Sequence, residues 1–366
     1  MKPKFIISTG TGWSATTPLW YTLQLDNQYM HTGLRKEGAF LDMIRRSPIQ
    51  RLMMERADKQ RRGMTWTTKN RVWRKKVLAD NKQLMEDLKT DPQANTPGGA
   101  LAAVRRDLFF TQEEIDEWLC FPPTLDKYVN YYERHWENLQ KNNCPYKAVG
   151  DFSNANCNLD VPFMKELVSR LSETFDVKIL MIVRDPIRRL WSENSGRYTP
   201  PFTFNFKAQK KALEKLKTQG GVCISDIGIN KMPTEEEHEK SFMKRVREQD
   251  YWDYMFIIDK WEQVAPLHVI IMEQLWEGDE QEREKQRLSD FLDYDIKKIH
   301  ENVYCPDKGC HAPQYNGLPD QWTSDKYMLQ DELYEKVRPL FPVYQQWVDK
   351  YGSLPLYWGK PYNYEV

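Results

Sequence analysis

The chain has 366 residues, of which 29% are charged and 13% aromatic, and its 53 basic and 53 acidic side chains cancel. Such a composition excludes a disordered chain and fits either one large α/β domain with insertions or two domains, while the neutral total selects no class of partner. The longest plain apolar run, Ile179 to Val183, falls far short of the roughly 18 residues of a membrane span, and no signal peptide is visible, so a cytoplasmic protein is expected.

The first predicted element is the strand Phe5-Ile6-Ile7, followed by the stretch STGTGWSATTPLW over residues 8 to 20. A strand, a glycine-bearing turn and a helix start present unpaired N–H groups and the positive end of a helix dipole, which attract anions. Gly10 and Gly12 allow close backbone approach, Ser14, Thr16 and Thr17 offer hydroxyls, and Pro18 is tolerated in the first helical turn. The pattern is not the nucleoside-triphosphatase loop G-x-x-x-x-G-K-[ST], because Ala15 stands for its second glycine and Thr16 for its lysine. The stretch contains no lysine or arginine at all.

Residues 42 to 127 differ in character, rich in Arg, Lys, Gln, Met and Leu and broken at Pro48, Pro92, Pro97 and Pro122-Pro123. They read as an insertion of helices. Within them, Arg45 to Lys76 holds twelve basic residues against Glu55 and Asp58. This run reads either as a solvated helix face or as a docking surface for an anionic partner. The acidic segments Glu235 to Glu237 and Glu280 to Glu284 balance it and are candidates to pair with it.

Two further apolar runs, Ile179–Val183 and Val269–Met272, read as buried parallel strands in a doubly wound layer. After the first of them comes RDPIRRLWS, residues 184 to 192. Asp185-Pro186 opens a helix whose buried stripe is Ile187, Leu190 and Trp191, with Arg188, Arg189 and Ser192 on other faces. Arg184, at a strand's carboxyl edge beside a helix start, can grip a phosphate with two donors or pair with a carboxylate. Six scattered cysteines, at 120, 144, 157, 223, 305 and 310, suit reduced thiols. The spacing of Cys305 and Cys310 also permits a local disulfide.

Taken together, these segments resemble the sulfotransferases that use 3′-phosphoadenosine 5′-phosphosulfate (PAPS). The family's 5′-phosphosulfate loop reads approximately G-x-x-[RK]-S-G-T-T. Gly10, Ser14, Thr16 and Thr17 match it, while Trp13 and Ala15 depart from it. Its 3′-phosphate motif, R-[DN]-P-x-x-R-x-x-S, is matched in register by Arg184, Asp185, Pro186, Arg189 and Ser192. RKEGAFL (35 to 41) resembles K-E-x-x-F-F of the carbohydrate-type members, VGDFSNAN (149 to 156) resembles G-E-K-[ST]-P-x-Y, and CPDKGCHAP (305 to 313) resembles a late loop that closes over the 3′-phosphate.

The resemblance implies one domain over residues 1 to 366. Its fold would be a P-loop-like, doubly wound parallel sheet flanked by helices, with the 42–127 helical insertion inside it. PAPS would be the donor and adenosine 3′,5′-bisphosphate (PAP) the product, with no metal called for. The resemblance assigns the nucleotide to Gly10, Thr11, Gly12, Trp13, Ser14, Ala15, Thr16, Thr17, Arg184, Ser192, Lys308, Gly309, Cys310 and His311. Glu37, with Lys36 beside it, is the candidate base, and Arg35, Asp151 and Ser153 are the candidate acceptor contacts. His31 and His311 are alternative bases, and Glu37 also reads as half of an ordinary surface pair with Lys36.

Trp13 stands where the family places a cation, so either another cation (Lys4, Arg35, Lys36 or Lys308) reaches in or catalysis is impaired. The expected acceptor is a hydroxyl of a carbohydrate or small metabolite, anionic if the run at 45–76 docks it. The alternatives are a PAP- or PAPS-binding protein without turnover and a nucleotide-dependent phosphotransferase. A nucleic-acid partner is the least favoured.

Overall fold

The structure is a computed structural model that describes residues 2–12, 14–33, 41, 44, 124–196, 234–249, 251–276, 280–300 and 329–360. Five parallel strands form its centre: β1 (Lys4–Ser8), β2 (Met30–His31), β3 (Ala148–Asp151), β4 (Asp176–Val183) and β5 (Leu267–Ile271), in the order β2-β3-β1-β4-β5. The three apolar runs of the sequence are β1, β4 and β5. β1 is buried along its whole length because it lies between β3, with Phe5 opposite Val149, and β4, with Ile7 opposite Ile179. A central parallel strand is covered on both faces and so has no polar alternation to show.

Side chains alternate between two cores. Phe5, Ile7, Val177, Ile179, Met181 and Val183 point into one, together with α2 (Leu125–Lys141), α3 (Val161–Leu171) and α6 (Tyr254–Glu262). Ile6, Leu180, Ile182 and Ile270 point into the other, with Leu19 and Leu23 from the helix after β1 and Leu288 and Leu292 from α8 (Gln281–Leu292). Helices on both faces of a parallel sheet make this an α/β doubly wound layer. Trp261, Trp358, Tyr254 and Tyr334 are fully buried, so much of the aromatic content is core.

Helix starts are set locally. Asp160 caps α3 by accepting from Phe163 N, Asp253 caps α6 through Phe256 N, and α5 (Glu235–Arg247) opens on a reciprocal capping box between Thr234 and Glu237. The acidic run at 280–284 pairs along its own helix, Glu280 with Arg283, Glu282 with Lys285 and Glu284 with Arg287. The corresponding basic run lies outside the described residues, as does the insertion expected over 42–127 apart from Ile44 and residues 124–127, where α2 begins.

The strand order decides where a ligand can sit. From β1 the chain crosses outward to β2, and from β4 it crosses outward in the opposite direction to β5. A crevice therefore opens at the carboxyl ends of β1 and β4, the topological switch point where open α/β sheets bind their ligands. Both phosphate-like segments of the sequence emerge there. Among the described residues no helix is long and apolar enough to cross a membrane, and Cys144 and Cys157 are thiols outside any disulfide.

Candidate active site at the switch point

The turn after β1 is tied down on every side. Thr9 N–H donates to Leu180 O at 2.9 Å, which extends the β1–β4 pairing by one residue, and Trp261 Nε1 donates to Thr9 Oγ1 at 2.9 Å. Asn156 Nδ2 reaches across from the end of β3 to Ser8 O at 3.1 Å. Gly10 is required here, since an added Cβ would sit 2.5 Å from Ile182 Cγ2 and 2.6 Å from Thr16 Cγ2. Gly12 differs, with no atom of the described residues beyond its chain neighbours within 4 Å of the same point, so among them the turn opens on that side.

The turn closes through Ser14 N–H to Thr11 O at 3.3 Å and a 2.7 Å hydroxyl contact between Thr11 and Ser14, both buried. Ala15 follows with φ 62° in the left-handed region, and α1 (Thr16–Tyr21) then begins, running on as a π-helical turn over Thr22–Asp26. Ala15 departs from the family's glycine in residue type but keeps the backbone conformation that glycine favours. It carries no side-chain oxygen to cap the helix.

On the other side of the crevice, α4 (Pro186–Gly196) starts where β4 ends. Ile187, Leu190 and Trp191 are buried, as their spacing predicts, but Arg188 and Arg189 are also 1% exposed. Arg184, 3% exposed, donates from Nη1 to Ser192 Oγ at 2.8 Å, bringing the two expected 3′-phosphate residues together two turns apart.

Asp185 organises this junction. Its Oδ1 accepts from the N–H groups of Ile187 and Arg188, capping α4, and its Oδ2 accepts from Tyr334 and Tyr344 hydroxyls at 2.9 and 3.1 Å and from Gly359 N–H at 3.0 Å. Burial first, and then the Asp185 charge, holds both tyrosine hydroxyls above their usual pKa, so they remain donors. Glu273, after β5, accepts from Asp185 N–H at 2.8 Å and from Trp358 Nε1 at 3.0 Å. Tyr254 donates to Arg184 O at 2.9 Å, with its own pKa pushed up to about 12, mainly by burial.

Arg189 joins the two segments. Its Nη1 donates to Gly12 O at 3.1 Å and to Glu193 Oε2 at 2.9 Å, while Glu193 Oε1 accepts from Arg245 at 2.8 Å. Arg189 was recognisable only as a match to the motif, since arginines on a helix ordinarily read as solvent-facing. Lys4, one cation expected to compensate for Trp13, is at the wrong end of β1. It pairs with Asp293 at 3.1 Å, roughly 13 Å of strand away from the turn.

The β2–β3 half of the carboxyl edge is different. Asp151, at the end of β3, accepts from Ser153 N–H at 2.8 Å and from Tyr128 hydroxyl at 3.0 Å, and Ser153 is buried beside it. His31, at the end of β2, lies 2.8 Å from His135 Nε2 through its Nδ1, which also accepts Gly33 N–H at 3.1 Å. An Nδ1 that accepts carries no proton, so His135 Nε2 is the donor between the rings. Both rings are buried against Tyr131 and Tyr146.

Thr17 lies in α1. Trp13, Arg35, Lys36, Glu37, Lys308, Gly309, Cys310 and His311 lie outside the described residues.

Fold and site thus define an α/β protein in which an uncharged, hydroxyl-rich turn and an arginine-and-serine helix start face one crevice. No protein-family model matches the chain, and no curated protein matches it. Among solved structures, the sulfotransferase STF9 from Mycobacterium avium aligns with 97% of this chain and 78% of its own, at 13% identity and a TM-score of 0.32. That likeness is too slight for any inference to rest on it.

Proposed function

We propose that the chain is a sulfotransferase that binds PAPS across the β1/β4 switch point and passes its sulfuryl group to a hydroxyl of a carbohydrate or small metabolite. One observation carries this reading. Two sequence motifs far apart in the chain meet in space, Arg189 of the second bonding Gly12 of the first while Arg184 and Ser192 touch each other. The residues fit the group: an open-sided glycine turn for one anionic end, and a buried arginine bonded to a half-buried serine for the other.

In this reading Gly10 to Thr17, Trp13 included, cradles the 5′ end, and Arg184 and Ser192 hold the 3′-phosphate. Lys308 to His311 cover it. When bound, the nucleotide supplies the sulfuryl group and leaves as PAP. The protein contributes alignment and positive charge where the leaving oxygen gains negative charge. Glu37 takes the acceptor's proton with Lys36 beside it, and Arg35 and Ser153 orient the acceptor. Asp151 holds the turn that presents Ser153, through its bond to Ser153 N–H.

Binding is the first test. PAP at millimolar concentration should raise the melting temperature, and a flat response sinks the assignment. With the wild type responding, Arg184→Met should weaken PAP about a hundredfold and Ser192→Ala about tenfold, from the charge-assisted contacts removed. Glu37→Gln should leave binding intact and abolish turnover. A second reading, a nucleotide-binding protein without catalysis, is favoured by Trp13. It requires PAP binding without sulfuryl transfer to any acceptor.

A further inference from the structure

We infer that Arg189 supplies, from helix α4, the positive charge that the turn after β1 lacks, its Nη2 donating to a phosphate or phosphosulfate group seated on Gly10, Thr11, Gly12 and Ser14. The inference rests on the reading that an anion occupies this turn, and it deepens that reading by naming the cation.

The argument starts from a charge that is missing. No lysine or arginine occurs from Ser8 to Trp20, and Lys4 is committed to Asp293 at the opposite end of its strand. Arg189 is the guanidinium that touches the turn, at Gly12 O, and it is 1% exposed. Its Nη1 is doubly used, by Gly12 and Glu193, but its Nη2 is buried with no hydrogen-bond partner among the described residues. A charged donor left over in a buried position is costly and uncommon. It is accounted for if a ligand oxygen completes it.

The surroundings support the same assignment. Gly12, whose carbonyl Arg189 holds, has open space where a side chain would project. Glu193 fixes the Arg189 fork through one oxygen and shares its other oxygen with Arg245, so the guanidinium is oriented before any ligand arrives. Arg184 is occupied with Ser192 instead. The two arginines of the motif are thereby divided, Arg184 toward one anionic group and Arg189 toward the other.

The test compares ligands that lack one end. Inorganic pyrophosphate, PAP and adenosine 3′-monophosphate are titrated into wild type, Arg189→Met and Arg189→Lys, with calorimetry as the readout. Arg189→Met should weaken pyrophosphate and PAP by about tenfold or more, leave adenosine 3′-monophosphate within about twofold, and be partly rescued by Arg189→Lys. Glu193 keeps Arg245 in the methionine variant, so a one-to-one pair remains. If that variant nevertheless fails to fold, Arg189→Lys alone should show the selective, smaller loss.

Equal weakening of all three ligands would assign Arg189 a structural role only, and no weakening of pyrophosphate or PAP would remove it from the site; either overturns the inference. If wild type ignores PAP but binds pyrophosphate through Arg189, the nucleotide assignment fails and the inference stands. If wild type binds none of the three, both fail.

Discussion

The carboxyl edge of the sheet is built from two unlike halves. Around β1 and β4 buried charges are concentrated: the buried Arg184, Arg188, Arg189 and Arg245 lie among the carboxylates of Asp185, Glu193 and Glu273. Among the described residues around β2 and β3 the buried polar groups are mostly neutral and aromatic: His31 pairs with His135, which stacks on Tyr131, and Tyr128 donates to Asp151. A desolvated charge is tolerated only with partners, so the first half is held rigid by a network in which Arg188, Arg189 and Arg245 are steered by a carbonyl or a carboxylate and Arg184 bonds the Ser192 hydroxyl. The second half is held by ring packing and hydroxyl contacts, and places no comparable demand on a counter-charge.

The charged half should be the more fragile of the two. Asp185→Ala removes the acceptor for two backbone N–H groups of α4, two buried tyrosine hydroxyls and Gly359 N–H at once. A cost of about 4 kcal/mol or more is expected, because several buried donors are left unmatched. Removing the Tyr128 hydroxyl with Tyr128→Phe on the neutral half should cost about 1 kcal/mol, since Asp151 keeps Ser153 N–H. Chemical denaturation of both variants measures the contrast, and equal costs would erase it.

Much of this contrast was legible in the sequence, and the missing parts have physical reasons. β1, β4 and β5 announced themselves as apolar runs because they are buried on both faces, and Asp185-Pro186 announced α4. β2 is two residues long and β3 is Ala-Val-Gly-Asp, which reads locally as a turn. Gly150 belongs in that strand because a Cβ there would run into Ile6 carbonyl oxygen on β1, a tertiary fact. The burial of Arg188 and Arg189 was hidden for the same reason. Arg188 donates to Lys360 O and Arg189 to Gly12 O, so the chain segments that enclose α4 are remote in sequence. The motif named the residues, but only the fold shows which of them are structural, as Asp185 is.

Acid should weaken the β4–β5 side of the sheet. His238, on α5 against Trp191 and Asn194, and His268, on β5 against Phe291, both have pKa values pulled down to about 4, chiefly by burial. Because the folded pKa lies below the unfolded value of 6.5, the unfolded chain binds the proton first. The stability present above pH 6.5 is therefore lost as pH falls toward 4, by up to about 3 kcal/mol for each histidine. His268 Nε2 has no hydrogen-bond partner, so His268→Leu should leave stability at pH 7 unchanged or higher and remove its share of the acid slope. Both groups lie on the β4–β5 side, where denaturation midpoints followed from pH 7 to pH 4 should show the loss. An unchanged slope in His268→Leu would place the acid response elsewhere.

The smallest expected effect bears on the turn itself. Ala15 holds φ 62° with a Cβ, a conformation that costs an L-residue about 1 to 2 kcal/mol, whereas glycine adopts it freely but loses about 0.5 to 1 kcal/mol more to chain entropy on folding. Ala15→Gly should therefore stabilise the protein by only about 0.5 kcal/mol. Its use is in what it separates. If the turn's geometry is already complete, as the Thr11–Ser14 contact and the Gly12–Arg189 bond indicate, restoring glycine should leave PAP affinity unchanged within about twofold. A large gain in affinity would instead mean that alanine holds the turn away from its binding shape, and that position 15, rather than the charge missing at position 13, limits this half of the site.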